Sequence, residues 1–216
     1  MITAASNSRI KRLVQLNQKS KLRRTEDVFL AEGVKMFLEA PREQLQEVYV
    51  SESFLEKCSC REHLEEVGYE VVSDSVFSKI SDTCTPQGVL CVLKQFHYNI
   101  EEMLRDKAPL FLLLENIQDP GNLGTMLRTG EGAGVSGIIM SRDTVDLYNP
   151  KVIRSTMGSI YRVPFYYADD FAAAVHQVQQ AGVSVYAAHL RGKNSYACQD
   201  YTKGTAFLIG NEGNGL

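Results

Sequence analysis

Apolar residues in the first hundred positions recur in short bursts that switch period. Ile10, Leu13 and Val14 fall on one face of a predicted helix over residues 7–17, with arginines elsewhere on it. Asp27 to Ala31 (DVFLA) reads as a short strand, and Val34 to Glu39 as a helix that Pro41 stops. A strand at 47–50, a helix at 54–67, a strand at 69–72, a short helix at 75–80 and a strand at 88–93 complete the series. Helix and strand alternate, which predicts a small α/β domain over residues 1–97. Tyr98 to Ala108 is charged and reads as a linker helix, 98–108.

From Pro109 the pattern changes. Leu110 to Leu114 is apolar without alternation, as expected of a strand covered on both faces of a parallel sheet. Later segments keep the rhythm: helix 123–132, strand 136–140, a helix beginning near Pro150, strand 163–166, helix 170–181, and strands 183–187 and 205–209. The expected fold class is α/β, a small N-terminal domain followed by a parallel-sheet domain over residues 109–216. The chain ends at Leu216, just after Gly210-Asn211-Glu212-Gly213-Asn214-Gly215. Such a loop after a buried strand normally leads into a helix, so the second domain is expected to be incomplete at its C-terminus.

Composition narrows the class. The 216 residues are 44% hydrophobic and 23% charged, ordinary for a globular protein. No apolar run approaches the ~18 residues needed to span a bilayer, so no membrane partner is expected. Met1 to Ser20 lacks an apolar signal core, and cytoplasm is the expected compartment. The five cysteines and four histidines show no metal-site spacing, and an odd cysteine count argues against a disulfide framework. Net charge is -3, yet residues 1–24 carry Arg9, Lys11, Arg12, Lys19, Lys21, Arg23 and Arg24 and no acid. A basic arm on an acidic body suits a phosphate-rich partner such as RNA. A solvated helix face is the competing reading.

Two loops carry the candidate chemistry. Asn116-Ile117-Gln118-Asp119-Pro120-Gly121-Asn122-Leu123-Gly124 leaves the strand 110–114 and enters a helix, with Asn122 a candidate N-cap. It lies at the carboxyl edge of a parallel sheet, where α/β proteins bind ligands. Arg128, six residues on, is ~9 Å along the helix and long enough to reach back to the loop. From spacing alone it also reads as a surface arginine pairing with Glu131 or Glu115. Ala206-Phe207-Leu208-Ile209-Gly210-Asn211-Glu212-Gly213 sets a carboxylate on a glycine-rich turn beyond a buried strand; alone it could be an ordinary turn. Gly132-Ala133-Gly134-Val135-Ser136-Gly137 matches a dinucleotide fingerprint but follows a helix and opens a strand, the reverse of the required order. It reads instead as a helix C-cap. P-loop and G-x-S-x-G signatures are absent.

The run Asn116 to Gly124, continued by Arg128-Thr129 and Gly134, closely resembles the first signature motif of the SpoU/TrmH ribose 2'-O-methyltransferases of the SPOUT superfamily. Leu208 to Gly213 resembles their second motif. Phe29-Leu30-Ala31-Glu32-Gly33 and Thr85-Pro86-Gln87-Gly88-Val89 resemble the family's N-terminal substrate-binding domain. The resemblance covers essentially the whole chain. It implies a trefoil-knot parallel-sheet domain, homodimerisation through that domain, and S-adenosylmethionine as cofactor. It places Asn122, Arg128 and Glu212 among the polar active-site residues, and Leu208, Ile209 and Gly210 where the cofactor binds. The family's third motif, bearing serine and asparagine, is missing from these residues.

The activity implied is methylation of an RNA ribose 2'-hydroxyl, with ribosomal RNA favoured and transfer RNA the alternative. Arginine, with a pKa above ~12, is a poor base, so Arg128 is expected to orient a substrate phosphate bidentately. Asn122 would position Arg128 or the ribose, and Glu212 would steer the arginine or hydrogen-bond the nucleotide. A noncatalytic RNA-binding protein on the same fold, and a base methyltransferase of another SPOUT branch, are the competing readings.

Overall fold

The computed structural model describes residues 1–216, which divide into two compact units: 1–96 with 146–161, and 97–145 with 162–216. The first unit contains α1 (Ser8–Gln18), α2 (Ser20–Glu26), β1 (Val28–Glu32), α3 (Val34–Leu38), β2 (Leu45–Ser51), α4 (Glu52–Lys57), α5 (Arg61–Val67), β3 (Glu70–Val72), α6 (Asp74–Ile80) and β4 (Val89–Lys94). Its sheet runs β1-β4-β2-β3, antiparallel except for the parallel pair β2/β3. Ile10, Leu13 and Leu16 from α1 and Val76, Phe77 and Ile80 from α6 close over Leu30, Tyr49, Leu90 and Val92 of the sheet. The i, i+3, i+6 spacing on α1 is what turns these three side chains inward.

Four expectations are corrected here. The predicted helix 54–67 is two helices, α4 and α5, broken at Cys58–Cys60. The basic arm holds a second helix, α2, which Asp27 ends in the left-handed conformation at φ 56°. The expected charged linker 98–108 contains only one helical turn, α7 (Ile100–Met103), and it belongs to the second core through Ile100 and Met103. Met103 reaches that core because Gly137 has no side chain: a Cβ there would lie 2.0 Å from Met103 Cε. Finally, 146–161 packs with the first unit, although the second domain was expected to be continuous from 109. This segment carries α9 (Pro150–Thr156), with Val152 and Ile153 buried. Tyr148 stacks on Phe29 at 4.8 Å and its hydroxyl donates to the Phe96 carbonyl at 3.1 Å. The Tyr161 hydroxyl donates to the Met36 carbonyl at 3.0 Å.

The second unit contains α7, β5 (Leu110–Leu114), α8 (Pro120–Ala133), β6 (Gly137–Ser141), β7 (Phe165–Ala168), α10 (Phe171–Gln180), β8 (Ser184–Ala187) and β9 (Thr205–Ile209). All five strands are parallel, in the order β7-β6-β5-β9-β8. The chain steps outward from β5 through β6 to β7, then crosses to the far side for β8 and β9. The topology therefore reverses between β5 and β9, where α/β sheets open their binding crevice. Gly134 ends α8 at φ 72°, the C-cap expected from the glycine run. No helix is long and apolar enough to cross a membrane. No group of three or more His, Cys, Asp or Glu gathers as a metal site.

Candidate active site

Register alone brings the two loops together. Leu114 pairs with Ile209 at the ends of β5 and β9, and the Glu115 N–H extends the ladder to the Ile209 carbonyl at 2.9 Å. The segments that follow, 116–119 and 210–215, must then leave the sheet side by side. Asn211 ties them: its Nδ2 donates to the Asn116 carbonyl at 2.7 Å, while its Oδ1 accepts from the Gly213 and Asn214 N–H groups at 3.0 Å each. Asn116 takes the left-handed conformation (φ 54°), which asparagine adopts more readily than most side-chain-bearing residues, and its N–H donates to Ser141 Oγ at 2.8 Å.

Glu212 completes the junction. Its carboxylate accepts from the backbone N–H of Gln118 and of Asp119, each at 3.0 Å, and from Asn122 Nδ2 at 3.1 Å. Burial pushes its pKa up, but the Gln118 and Asp119 N–H bonds, with its own N–H and the Asn122 amide, outweigh that and hold it at about 2. The group is an anion at neutral pH and only a weak base. It clamps the first loop. Its partners are Gln118, Asp119 and Asn122, and it makes no direct ion pair with Arg128.

Asn122 sits inside α8, at its third residue, rather than at the N-cap. Asp119 is the cap, its Oδ1 accepting from the Asn122 N–H at 2.7 Å. Pro120 at the first helical position has no N–H to satisfy, so the residue before it must cap. The Asp-Pro pair carried that signal in the sequence. The Gln118 and Asp119 peptide groups that Glu212 holds left no side-chain signature and could not have been found.

Arg128 lies on the exposed face of α8 with no ion pair. Neither surface partner considered for it takes it: Glu131 is held by Arg162. The guanidinium is therefore available to an incoming anion.

Leu208, Ile209 and Gly210 are half-buried at the carboxyl end of β9. The Leu208 carbonyl accepts from Ala188 and that of Ile209 from Glu115, both at 2.9 Å, so both are spent in the sheet. The N–H and C=O of Gly210 meet no protein partner. Gly210 also has to be glycine: a Cβ would lie 2.4 Å from the Gly215 carbonyl carbon, where the chain folds back. An open cleft of about 490 Å³ adjoins the two loops over the ends of β5, β6 and β7, lined by Asn116, Asn211 and the carboxylates Glu115, Asp143, Asp169 and Asp170. Arg142 on its wall is paired with Asp169 at 2.7 Å. Four carboxylates against one arginine make this cleft a poor place for a phosphate backbone.

The basic arm divides. Arg23 is 3% exposed: it donates to the Leu16 and Asn17 carbonyls at 2.6 and 3.1 Å and pairs with Asp146 at 2.5 Å. It is a structural residue of the first unit, which corrects its placement among RNA contacts. Arg12 is held by Glu26 and Glu47 at 2.7 and 2.8 Å, and Arg9 by Glu70 at 2.9 Å. Both guanidinium groups are engaged in ion pairs within the first unit. Lys11, Lys19, Lys21 and Arg24 remain exposed.

Two family profiles match the chain, one in each half of the sequence. The profile of the SpoU rRNA methylase family matches residues 109–216, and that of the MRM3-like substrate-binding domain matches residues 7–91. The chain is 31% identical over its full length to 84% of a 23S rRNA (guanosine(2553)-2'-O)-methyltransferase, RlmP, of Bacillus subtilis. An rRNA methyltransferase from Sinorhizobium meliloti superposes with TM-score 0.86 at 29% identity, matching all of this chain and 83% of that one. The AdoMet-bound form of an rRNA methyltransferase from the same organism superposes at 0.82, with 29% identity and 82% of that chain matched. This chain belongs to the SpoU rRNA methylase family.

Proposed function

We propose that this protein transfers a methyl group from S-adenosylmethionine to a ribose 2'-hydroxyl of RNA, with ribosomal RNA as the substrate. The observation that carries the reading is the joint between the two signature loops: Glu212 fixes Gln118, Asp119 and Asn122, with the unpaired Arg128 following on the same helix. Family membership and the relatives named as rRNA methyltransferases support the same substrate class.

The residues at the end of β9 suit the cofactor. Leu208 and Ile209 offer half-buried apolar surface to a flat base, and the free N–H and C=O of Gly210 offer one donor and one acceptor to its edge. When bound, the cofactor supplies a methyl group already activated on a sulfonium. What remains for the protein is alignment and disposal of one proton. The planar fork of the Arg128 guanidinium holds a substrate phosphate in bidentate fashion, which places the neighbouring ribose. Glu212 keeps the start of α8, and with it Arg128, in one position. The 2'-hydroxyl proton passes to solvent water, since the Arg128 guanidinium has no acceptor atom and the Glu212 carboxylate is too weak a base to hold it. The second unit is on this reading a trefoil-knot SPOUT domain that pairs with a second copy; its all-parallel sheet and family membership support this.

The test is incubation of the protein with methyl-labelled cofactor and, separately, ribosomal RNA and transfer RNA, followed by nuclease digestion and nucleoside mass spectrometry. A 2'-O-methylnucleoside in ribosomal RNA is expected. Incorporation only into transfer RNA would correct the substrate, and a base-methylated nucleoside or none at all would overturn the activity.

A further inference from the structure

Beyond the β8 edge of the second sheet, residues 187–203 form a loop whose aromatic and cationic side chains stand in solvent. Its base is built on the sheet. Tyr201 packs against Tyr186 at 5.1 Å and Phe207 at 5.4 Å between ring centres, and the Tyr186 hydroxyl donates to the Asp200 carbonyl at 3.1 Å. From that base the Tyr201 hydroxyl donates to the Tyr196 carbonyl at 2.7 Å, which fixes a single 3-10 turn at Tyr196–Cys198. The backbone of Tyr196 is thus anchored while its ring is 82% exposed. A second turn, closed by Gly192 N–H to the His189 carbonyl at 2.9 Å, holds out Leu190 and Arg191. Leu190 is fully exposed, and Arg191, Lys193 and Lys203 are exposed as well. The one carboxylate in the segment, Asp200, turns back to accept from the Thr202 N–H at 2.9 Å and its hydroxyl at 2.6 Å. The outward face is therefore cationic with an aromatic ring in it, the opposite of the carboxylate-lined cleft over β5 to β7. The root of the loop is also close to the cofactor strand: Ala188 N–H bonds the Leu208 carbonyl at 2.9 Å.

We infer that residues 190–196 are a contact for single-stranded RNA, in which Tyr196 stacks on a base while Arg191 and Lys193 hold the adjoining phosphates. The inference rests on the reading of the protein as an RNA methyltransferase and adds where the strand lies beside β9. A preorganised ring among exposed cations is the arrangement that binds single strands with little sequence preference. Charge favours this occupant over a second copy of the chain, because the protein carries a net charge of -3 yet this loop presents three cations against the single carboxylate of Asp200.

The test uses a fluorescein-labelled, mixed-sequence RNA 12-mer and the whole chain. Tyr196→Ala is expected to weaken binding by about tenfold, and Tyr196→Phe to restore it, because either ring stacks. Arg191→Ala with Lys193→Ala is expected to lower the slope of log Kd against log salt by about 1.4, two phosphates at ~0.7 each. Wild-type affinity and slope in both variants would overturn the inference. So would unchanged RNA binding together with a shift in oligomeric state by light scattering, which would assign the loop to a protein interface. Methyl transfer by the unaltered protein is measured alongside. A wild type that binds the 12-mer but methylates nothing counts against the activity, not against the loop.

Discussion

Replacing Glu212 by glutamine removes the charge of the clamp while keeping its size. The carboxylate accepts three hydrogen bonds, from Gln118, Asp119 and Asn122. Glutamine has one carbonyl oxygen, so at least one of the two backbone N–H groups must then face an amide nitrogen that cannot accept. A hydrogen bond to a charged group contributes about 1.5 to 3 kcal/mol. Glu212 is exposed, and solvent screening reduces that figure to about 1 to 1.5 kcal/mol for the loop. The loop should therefore open about tenfold more often. Hydrogen exchange at the Gln118 and Asp119 amides reads this directly: protection is expected to fall about tenfold in Glu212→Gln. The wild type adds a pH test. Because the carboxyl is held at about 2 against an ordinary 4.5, its contribution is full above pH 4.5 and is lost as pH falls toward 2. After normalisation to intrinsic exchange rates, wild-type protection should be flat from neutral pH to about 5 and decline below it, and Glu212→Gln should show no such decline. Equal protection in the two proteins at pH 7 would refute the clamp.

Other residues allow simpler checks. Arg23→Ala leaves Asp146 and two carbonyls without their partner, a loss of about 3 to 5 kcal/mol, and should lower Tm by about 10 °C in a thermal melt. Arg24→Ala, on the surface beside it, should stay within about 0.5 kcal/mol of wild type. Replacing Lys11, Lys19, Lys21 and Arg24 together by alanine should weaken RNA binding and flatten its salt dependence in a filter-binding titration; unchanged binding would make this a solvated face. Gly210→Ala should abolish cofactor binding by calorimetry, because its Cβ would displace the returning chain at Gly215.

Each of the two loops was legible in the sequence from a local cause, while their meeting was implied only by the family resemblance. Apolar runs without alternation, Leu110 to Leu114 and Thr205 to Ile209, announced buried parallel strands, and Pro and Gly marked where the chain leaves them. What could not be read depends on which distant groups meet. Arg12 and Arg23 look like Lys19 and Arg24 in sequence; Glu26, Glu47 and Asp146 decide otherwise. The segment 146–161 gave a helix signal at Pro150 but no sign that Tyr148 and Tyr161 would dock on Phe29 and Met36 of the first unit. Glu212 was picked out by the resemblance, and the structure sets it against Asn122; its other partners could not be deduced, since they are backbone N–H groups that every residue carries. The N-cap was misplaced by three positions because Asn122 was weighed without its neighbour: Asp119 before Pro120 is the stronger signal.

On the proposed function, Arg128, on the helix whose start Glu212 clamps, serves methyl transfer to ribose. Arg128→Ala removes an exposed side chain without an ion pair, so the fold should be unaffected. The decisive measurement is single-turnover methyl transfer to ribosomal RNA by this variant, with cofactor affinity measured in parallel. The account predicts a loss of at least about 100-fold in rate, as when a transition-state electrostatic contact is removed, with cofactor affinity unchanged. A rate near wild type with RNA and cofactor both bound would contradict it.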